Sequence, residues 1–382
     1  MSVNKFERQL AELKEKGNYR QLSALQHDGK YITANGQRFL NLSSNDYLGL
    51  ASDQNLREQF FSTIGKDALM SSSSSRLLTG NFGVYEQLEA LLTKRYNSRS
   101  ALLFNSGYHA NIGILPALAD KQTLIVADKL VHASLIDGMQ LSGATCRRYR
   151  HNDYDQLVRI LEQEGSKFDT RIIVTESVFS MDGDHSDLKR LVAIKKSFPD
   201  TLLYVDEAHA VGVFGESGLG LAEELGIVSD IDLLVGTFGK ALGSVGAYVI
   251  CAESIKNYLI NKMRPLIFST ALPPVNIAWS LFLFNRLPEF NDRRAKLLSV
   301  SRWFREQLTN NGPPSPSESH IVPFVVGENK ETLLLSAKLK EAGFFALPVR
   351  PPTVPQGSAR IRFSLTSDIT IGDLTPLIPM LL

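Results

Sequence analysis

The chain has 382 residues, 43% of them hydrophobic and 21% charged, with a formal net charge of +1. That length exceeds one ordinary core and suggests about two or three domains, and the near-neutral balance, with no dense Lys/Arg stripe among aromatics, argues against a nucleic-acid partner. Two cysteines, Cys146 and Cys251, are too few for a disulfide framework and lack metal-ligand spacing, so both read as core thiols.

The first twenty residues are charged throughout and contain no apolar signal-peptide core. The longest apolar run, Ala278 to Phe284, is far too short to span a membrane, so a cytoplasmic protein is expected. Asn4 to Leu25 reads as an amphipathic helix, with Phe6, Leu10 and Leu13 at helical spacing. Tyr31 to Leu42 reads as a hairpin, because YITA and RFLNL alternate around Asn35-Gly36, a dipeptide suited to a type I′ turn. SSNDYLGL follows at Ser43 to Leu50, where Asn45 and Tyr47 are compatible with an ordinary turn. Five serines, Ser71 to Ser75, have the composition of a flexible linker. Their apolar flanks and the helical pattern from Val84 to Tyr96 argue instead for an ordered loop of small residues.

Ser100 to Phe104 reads as a strand and Tyr108 to Leu118 as a helix, joined by Asn105-Ser106-Gly107. A glycine turn at a helix start offers free N–H groups and the positive dipole end to a phosphate, although strand-Gly-helix is common in all α/β proteins. The strand Thr123 to Ala127 ends at Asp128, with His132 in the loop beyond. Ile172 to Thr175 is a buried-strand run leading into Glu176, Ser177 and Ser180; in FSMDGD the Ser180 hydroxyl suits a turn cap. Alternation continues through the helix Leu188 to Ser197, the strand Leu202 to Val205, the helix Leu219 to Leu225 and the strand Ile231 to Val235. This rhythm predicts an α/β fold with a mostly parallel sheet covered by helices on both faces.

Two of those strands run straight into chemistry-bearing residues: Asp206, Glu207 and His209 after the first, Thr237 and Lys240 after the second. The ends of parallel strands form the ligand crevice of an open α/β sheet. Lys240 lies in GKALGSVG between Gly239 and Gly243, so a ligand can approach the backbone closely. Taken singly, the lysine reads as a solvated loop charge and the Asp-Glu pair as a helix cap. Both at neighbouring strand ends, with His209 on the same turn, read as a pyridoxal phosphate site: the lysine forms a Schiff base with the aldehyde, and the carboxylate keeps the pyridine nitrogen protonated. A nucleotide-binding reading of TFGKALG fails, because Leu234 and Ala241 stand where a P-loop needs glycine and Ser/Thr. A Ser180-His209-Asp206 hydrolase lacks the G-x-S-x-G elbow.

Gly246 to Cys251 reads as an antiparallel strand, and Ser269 and Thr270 as caps before the prolines of the next helix. A long helical stretch, Val275 to Leu308, precedes a linker at Asn311 to His320. HIVPFVVG, a helix from Glu331 to Ala342, an extended run at Phe345 and ARIRFSLT then make a smaller α+β domain. In VRPPTVPQGSARIRFSL the prolines hold extended backbone around Arg350 and Thr353, where a guanidinium can take a carboxylate as a bidentate pair. Arg360 and Arg362 rank behind Arg350, since alternating strand charges are usually solvated. The expected division is 1–42 for the N-terminal helix and hairpin, 43–275 for the large domain and 276–382 for the C-terminal domain.

VDEAHAVGVFGESGLG together with TFGKALGSVG resembles the α-oxoamine synthases, fold-type I pyridoxal phosphate enzymes that condense an amino acid with an acyl thioester and release CO2. SSNDYLGL, TESVFSMDGD and RPPTVP are most similar to the members that join L-alanine to a pimeloyl thioester, carried by CoA or a carrier protein, in biotin synthesis. Siblings that use glycine are the nearest alternative, and an inactive partner subunit a remote one, which Lys240 opposes. The resemblance implies a homodimer with active sites at the subunit interface. It makes Lys240, His132 and Asp206 catalytic, with His132 stacked on the pyridine ring and close to the substrate. It makes Gly107, Tyr108, Ser180, His209, Thr237 and Thr270 cofactor contacts, Thr270 reaching the phosphate of the other subunit's cofactor. It places Arg20, Asn45, Arg350 and Thr353 at the substrate, and the serine loop near the neighbouring subunit's cofactor.

Overall fold

The computed structural model describes residues 2–65, 68–97, 99–311 and 315–382. Residues 312–314 of the expected linker therefore lie outside the described residues. The chain forms two compact units: one comprises Met1–Ser52, Ser180–Asp184 and Ala295–Leu382, the other Asp53–Phe179 and His185–Arg294.

The second unit is built on a seven-stranded sheet. Its strands are β1 (Ser100–Phe104), β2 (Thr123–Asp128), β3 (Thr145–Tyr149), β4 (Thr170–Glu176), β5 (Thr201–Asp206), β6 (Leu233–Thr237) and β7 (Ala247–Cys251). The spatial order is β1-β7-β6-β5-β4-β2-β3, with β7 antiparallel to both neighbours and the other pairs parallel. β2, β6 and β7 are buried along their whole length. That explains why they read as unbroken apolar runs rather than alternating ones: both faces of such a strand are covered. Leu102, Ile125, Ile172, Val174, Val235 and Val249 belong to one core cluster with Ala110, Ile114 and Leu135 from helices. The strand expected at 202–205 is longer by one residue at each end, Thr201–Asp206, and the one expected at 231–235 is shifted to Leu233–Thr237, because ladder bonds continue through Asp206 and Thr237. The helix expected at 219–225 is one turn, Leu221–Glu224, entered from Gly220 at φ 115°.

The first unit carries two small sheets. Gln26–Asp28, Tyr31–Ala34, Gln37–Asn41 and Phe344–Phe345 form one; Ile321–Gly327, Ala359–Ser364 and Pro348–Val349 form the other. The hairpin turns at Asn35 and Gly36, both with positive φ (51° and 78°), as a type I′ turn requires. The N-terminal helix is shorter than expected, Ser2–Glu15: Gly17 at φ 64° ends it, and Asn18 N–H closes back on the Leu13 carbonyl. Its Phe6, Leu10 and Leu13 are exposed.

The long helical stretch expected at 275–308 is two helices, Pro274–Asn285 and Asn291–Asn311, separated by the 3₁₀ turn Leu287–Phe290. Pro288 accounts for the break, since it has no N–H to continue the ladder. Among the described residues no helix is long and apolar enough to cross a membrane.

Candidate active site

The Lys240 amine is carried by a tightly braced loop. β6 and β7 pair at Thr237 and Ala247, and between them Phe238 N–H donates to Gly246 O, Ser244 N–H to Phe238 O and Gly243 N–H to Lys240 O, each at 2.9 Å. The Thr237 hydroxyl donates to Gly246 O (3.0 Å) and accepts from Gly239 N–H (3.1 Å). Trp279 Nε1–H donates to Gly243 O (3.1 Å), and the Ser244 and Ser280 hydroxyls lie 2.8 Å apart. Gly246, at φ 107°, has to be glycine: a Cβ there would meet Leu272 Cδ1 at 2.9 Å and Phe104 O at 3.2 Å.

On this scaffold Lys240 Nζ stands 2.8 Å from Nε2 of His209, which is buried on the turn following β5. Asp206, at the end of β5, is 6% exposed. Its Oδ1 accepts from Ala208 N–H (2.9 Å) and its Oδ2 from Asn111 Nδ2–H (2.8 Å). Both Asp206 and Lys240 act electrostatically on His132 and Glu176, so the four groups share one neighbourhood. His132 is exposed and caps the helix Ala133–Ser142, its Nδ1 accepting from Ser134 N–H at 3.2 Å. Partial desolvation lowers its pKa; Asp206 and Asp137 oppose that shift, and the Lys240 ammonium adds to it. Burial pushes the Glu176 carboxyl up to about 8, assisted by Asp206, and the Glu176 side chain accepts the backbone N–H of His132.

Gly107 and Tyr108 open the helix Gly107–Leu118, whose N-cap Ser106 takes His109 N–H, while Ala110 N–H returns to Ser106 O. The amides of Gly107 and Tyr108 thus stand outside the intrahelical ladder, as an anion site requires, and a Cβ on Gly107 would meet nothing within 4 Å. Tyr108 does not close the core: it is 46% exposed and its hydroxyl donates to Asp137, the bond that chiefly raises its pKa. Thr270 is exposed; its carbonyl accepts from Asn105 Nδ2–H (2.8 Å), and it bridges to Ser75. The serine loop is ordered against this segment: Ser72 Oγ donates to Leu272 O (2.6 Å) and Ala271 N–H to Ser74 O (2.9 Å).

The remaining expected residues lie in the first unit and form two groups. Arg20 donates to Thr353 Oγ1 (3.0 Å), and together with Arg350 they line a cavity of about 230 Å³. Desolvation and the neighbouring Arg20 lower the Arg350 pKa. In the other group Arg362 donates to the Ser180 carbonyl, to Asn45 Oδ1 (3.3 Å) and to the Ser364 hydroxyl, and Tyr47 OH donates to Asn45 Oδ1 (3.1 Å). Arg360 is 5% exposed and paired with Asp182. The expectation that Arg360 and Arg362 are solvated therefore fails, because carbonyls and carboxylates of the Ser180–Asp184 segment supply partners that an open strand would lack.

Sequence reasoning passed over Asn111, Ser134, Tyr204 and the role of Glu176. Two signals were present: an asparagine inside an otherwise apolar helix needs a buried partner, and Tyr204 and Asp206, two residues apart on a strand, share a face. The donor set fits pyridoxal phosphate, with a lysine amine and a carboxylate at adjacent strand ends, an imidazole beside the amine and a second in the same neighbourhood, and an uncommitted pair of amides at a helix start.

The aminotransferase class I and II family model matches residues 37–378. A protein of Glaesserella parasuis serovar 5, provisionally named 8-amino-7-oxononanoate synthase, is 56% identical over 380 residues, covering 99% of this chain and 100% of that one. One of Haemophilus influenzae strain Rd, with the same provisional name, is 56% identical over 373 residues (97% and 98%). Among solved structures, a serine palmitoyltransferase variant of S. paucimobilis, with a bound PLP–myriocin aldimine, superposes with a TM-score of 0.90 at 27% identity, covering 100% of this chain and 96% of that one. 8-Amino-7-oxononanoate synthase of Francisella tularensis gives 0.76 at 32% identity (90% and 96%). The chain belongs to the aminotransferase class I and II family, in its α-oxoamine synthase branch beside the 8-amino-7-oxononanoate synthases, and is a pyridoxal phosphate-dependent enzyme of the acyltransferase type.

Proposed function

We propose that the chain catalyses the decarboxylative condensation of L-alanine with a pimeloyl thioester to give 8-amino-7-oxononanoate, CO2 and the free thiol. The observation that carries the reading is the meeting of Lys240, Asp206 and the two histidines at the strand ends, in a chain more than half identical to relatives provisionally named for this reaction. Pyridoxal phosphate supplies an aldehyde that links to amines and a ring that accepts electron density.

Lys240 would hold the aldehyde, and its amine would serve as the base toward the α-proton of the amino acid. The Asp206 carboxylate would hold the ring nitrogen and favour its cationic form. His132 would cover the ring and limit water, His209 and Ser180 would hold the phenolic oxygen, and the Gly107–Tyr108 amides with Thr237 would hold the phosphate. Arg350 pairs with the amino-acid carboxylate, and Arg20, Asn45 and Thr353 contact the substrates. Thr270 of each subunit would serve the phosphate bound by the other, in a homodimer.

An absorbance titration tests this reading. Protein with pyridoxal phosphate is expected to show a band near the visible edge that responds to L-alanine more strongly than to glycine. CO2 and thiol release should then require both L-alanine and a pimeloyl thioester. A band that survives Lys240→Ala would end the assignment of the amine, and a preference for glycine with a shorter acyl thioester would move the chain to a sibling reaction.

A further inference from the structure

Two side chains outside the expected site, Asn111 and Ser134, join Asp206 to His132 without a break, and a third, Tyr204, holds Asn111. Tyr204 OH donates to Asn111 Oδ1 (2.6 Å); Asn111 Nδ2 donates to Asp206 Oδ2 (2.8 Å) and to Ser134 Oγ (2.9 Å); Ser134 Oγ lies 2.8 Å from His132 Nδ1. Tyr204, Asn111 and Ser134 are all at most 1% exposed, so each polar atom must find its partner within the protein. The direction of every bond follows. An ionised carboxylate only accepts, so the Asn111 amide turns its NH2 to Asp206 and its carbonyl to Tyr204. Tyr204 is a phenol whose pKa burial raises well above its ordinary value, and it donates. The second Asn111 N–H occupies one lone pair of Ser134 Oγ; because His132 Nδ1 accepts the Ser134 backbone N–H (3.2 Å) it carries no hydrogen of its own, so the Ser134 hydroxyl is the donor across the 2.8 Å contact. Helix packing enforces the contact: Gly138, one turn after Ser134, lets the two helices close until a Cβ at 138 would lie 2.4 Å from Asn111 O.

We infer that Asn111 and Ser134 are positioning residues that fix His132 as the neutral tautomer with its proton on Nε2. Two donors converge on Nδ1, so the ring offers only Nε2–H outward and serves the site as a hydrogen-bond donor, not as a base. The cap position reinforces this, because an imidazolium there would face the positive end of a helix dipole. The charged groups that act on the ring are Asp206, Lys240 and Asp137; none of them bonds Nδ1. The consequence for catalysis rests on the functional reading above, but the network itself does not.

The experiment uses the full chain without cofactor and reads the ring nitrogens of His132 by heteronuclear NMR correlation, assigned by their loss in His132→Gln. At neutral pH the wild-type ring is expected to carry its proton on Nε2 alone. Ser134→Ala and Asn111→Leu should each shift the Nδ1 resonance, Ser134→Thr should restore it, and Asn111→Leu should have no further effect in the Ser134→Ala background. A proton on Nδ1 in wild type, a ring unmoved by Ser134→Ala, or an Asn111→Leu effect of equal size in both backgrounds overturns the inference. Should Asn111→Leu not fold, the wild-type tautomer and the Ser134 variants decide it. Failure of the functional reading would appear instead in the absorbance titration, with the tautomer unchanged.

Discussion

Gly138→Ala separates a tight helix crossing from a loose one by the sign of its effect. Alanine favours helix over glycine by about 1 kcal/mol, so where space exists the change stabilises. Here the new Cβ would lie 2.4 Å from Asn111 O and 3.1 Å from its carbonyl carbon, both backbone atoms that cannot rotate away. An ordinary C···O approach is about 3.3–3.6 Å, so the helices must part by roughly 1 Å. Overpacking of that kind costs about 1–3 kcal/mol, which exceeds the helical gain over most of its range. For a unit of this size each kcal/mol moves Tm by about 2–4 °C, so a net loss of up to about 8 °C is expected by calorimetry. The same displacement stretches the 2.9 Å Asn111–Ser134 bond beyond hydrogen-bond range, so the His132 nitrogen resonances should move with Tm. Gly83→Ala is the control, at a helix start where a Cβ meets nothing within 4 Å, and it should leave Tm unchanged or raised. A Gly138→Ala protein with raised Tm would refute the argument from close approach.

Burial pushes the Glu207 carboxyl up to about 8, while Oε1 accepts Ala222 N–H at 2.9 Å. The native state therefore holds this proton after the unfolded chain has released it, so its contribution to stability is full below about pH 4 and is lost as pH rises toward 8. Glu207→Gln keeps the acceptor and should flatten the fall of Tm between about pH 5 and 8; an unchanged slope would exclude the group as its source. Thr237→Val leaves Gly239 N–H and Gly246 O without their hydroxyl partner, at a cost of about 1–3 kcal/mol in denaturant unfolding, and should weaken cofactor uptake in an absorbance titration. Arg360→Met strands the Asp182 carboxylate and should cost about 3–5 kcal/mol, whereas Arg360→Met with Asp182→Leu should recover most of the loss; a double variant no better than the single would show that the pairing is not the cause.

The sheet was legible because strands buried on both faces must be continuously apolar, and Asp206, at the end of one strand, and Lys240, just beyond the end of the next, interrupt that pattern with charge. The hairpin at Asn35-Gly36 was legible for a similarly local reason, the positive φ of both residues. Other features depend on partners distant in sequence. Nothing near Arg360 announces Asp182, and nothing near Asn111 announces Ser134 and Asp206 together. The helix boundaries at Gly17 and Pro288 were written in the chain, but helical periodicity runs across both, and only competing backbone hydrogen bonds show where the ladder stops.

The reversed direction of β7 shapes what can be exchanged between related enzymes. Two adjacent parallel strands need a crossover of at least about a dozen residues, whereas an antiparallel neighbour allows the lysine-bearing segment to be a short return stitched at both ends. A chimera that grafts residues 238–246 alone would inherit the amine but lose the bond from Trp279 and the close fit of Gly246 beside Phe104 and Leu272. The smallest transplantable piece is the complete two-strand ribbon with the helix that braces it, and libraries cut at those borders should retain coenzyme loading more often than libraries cut at the loop.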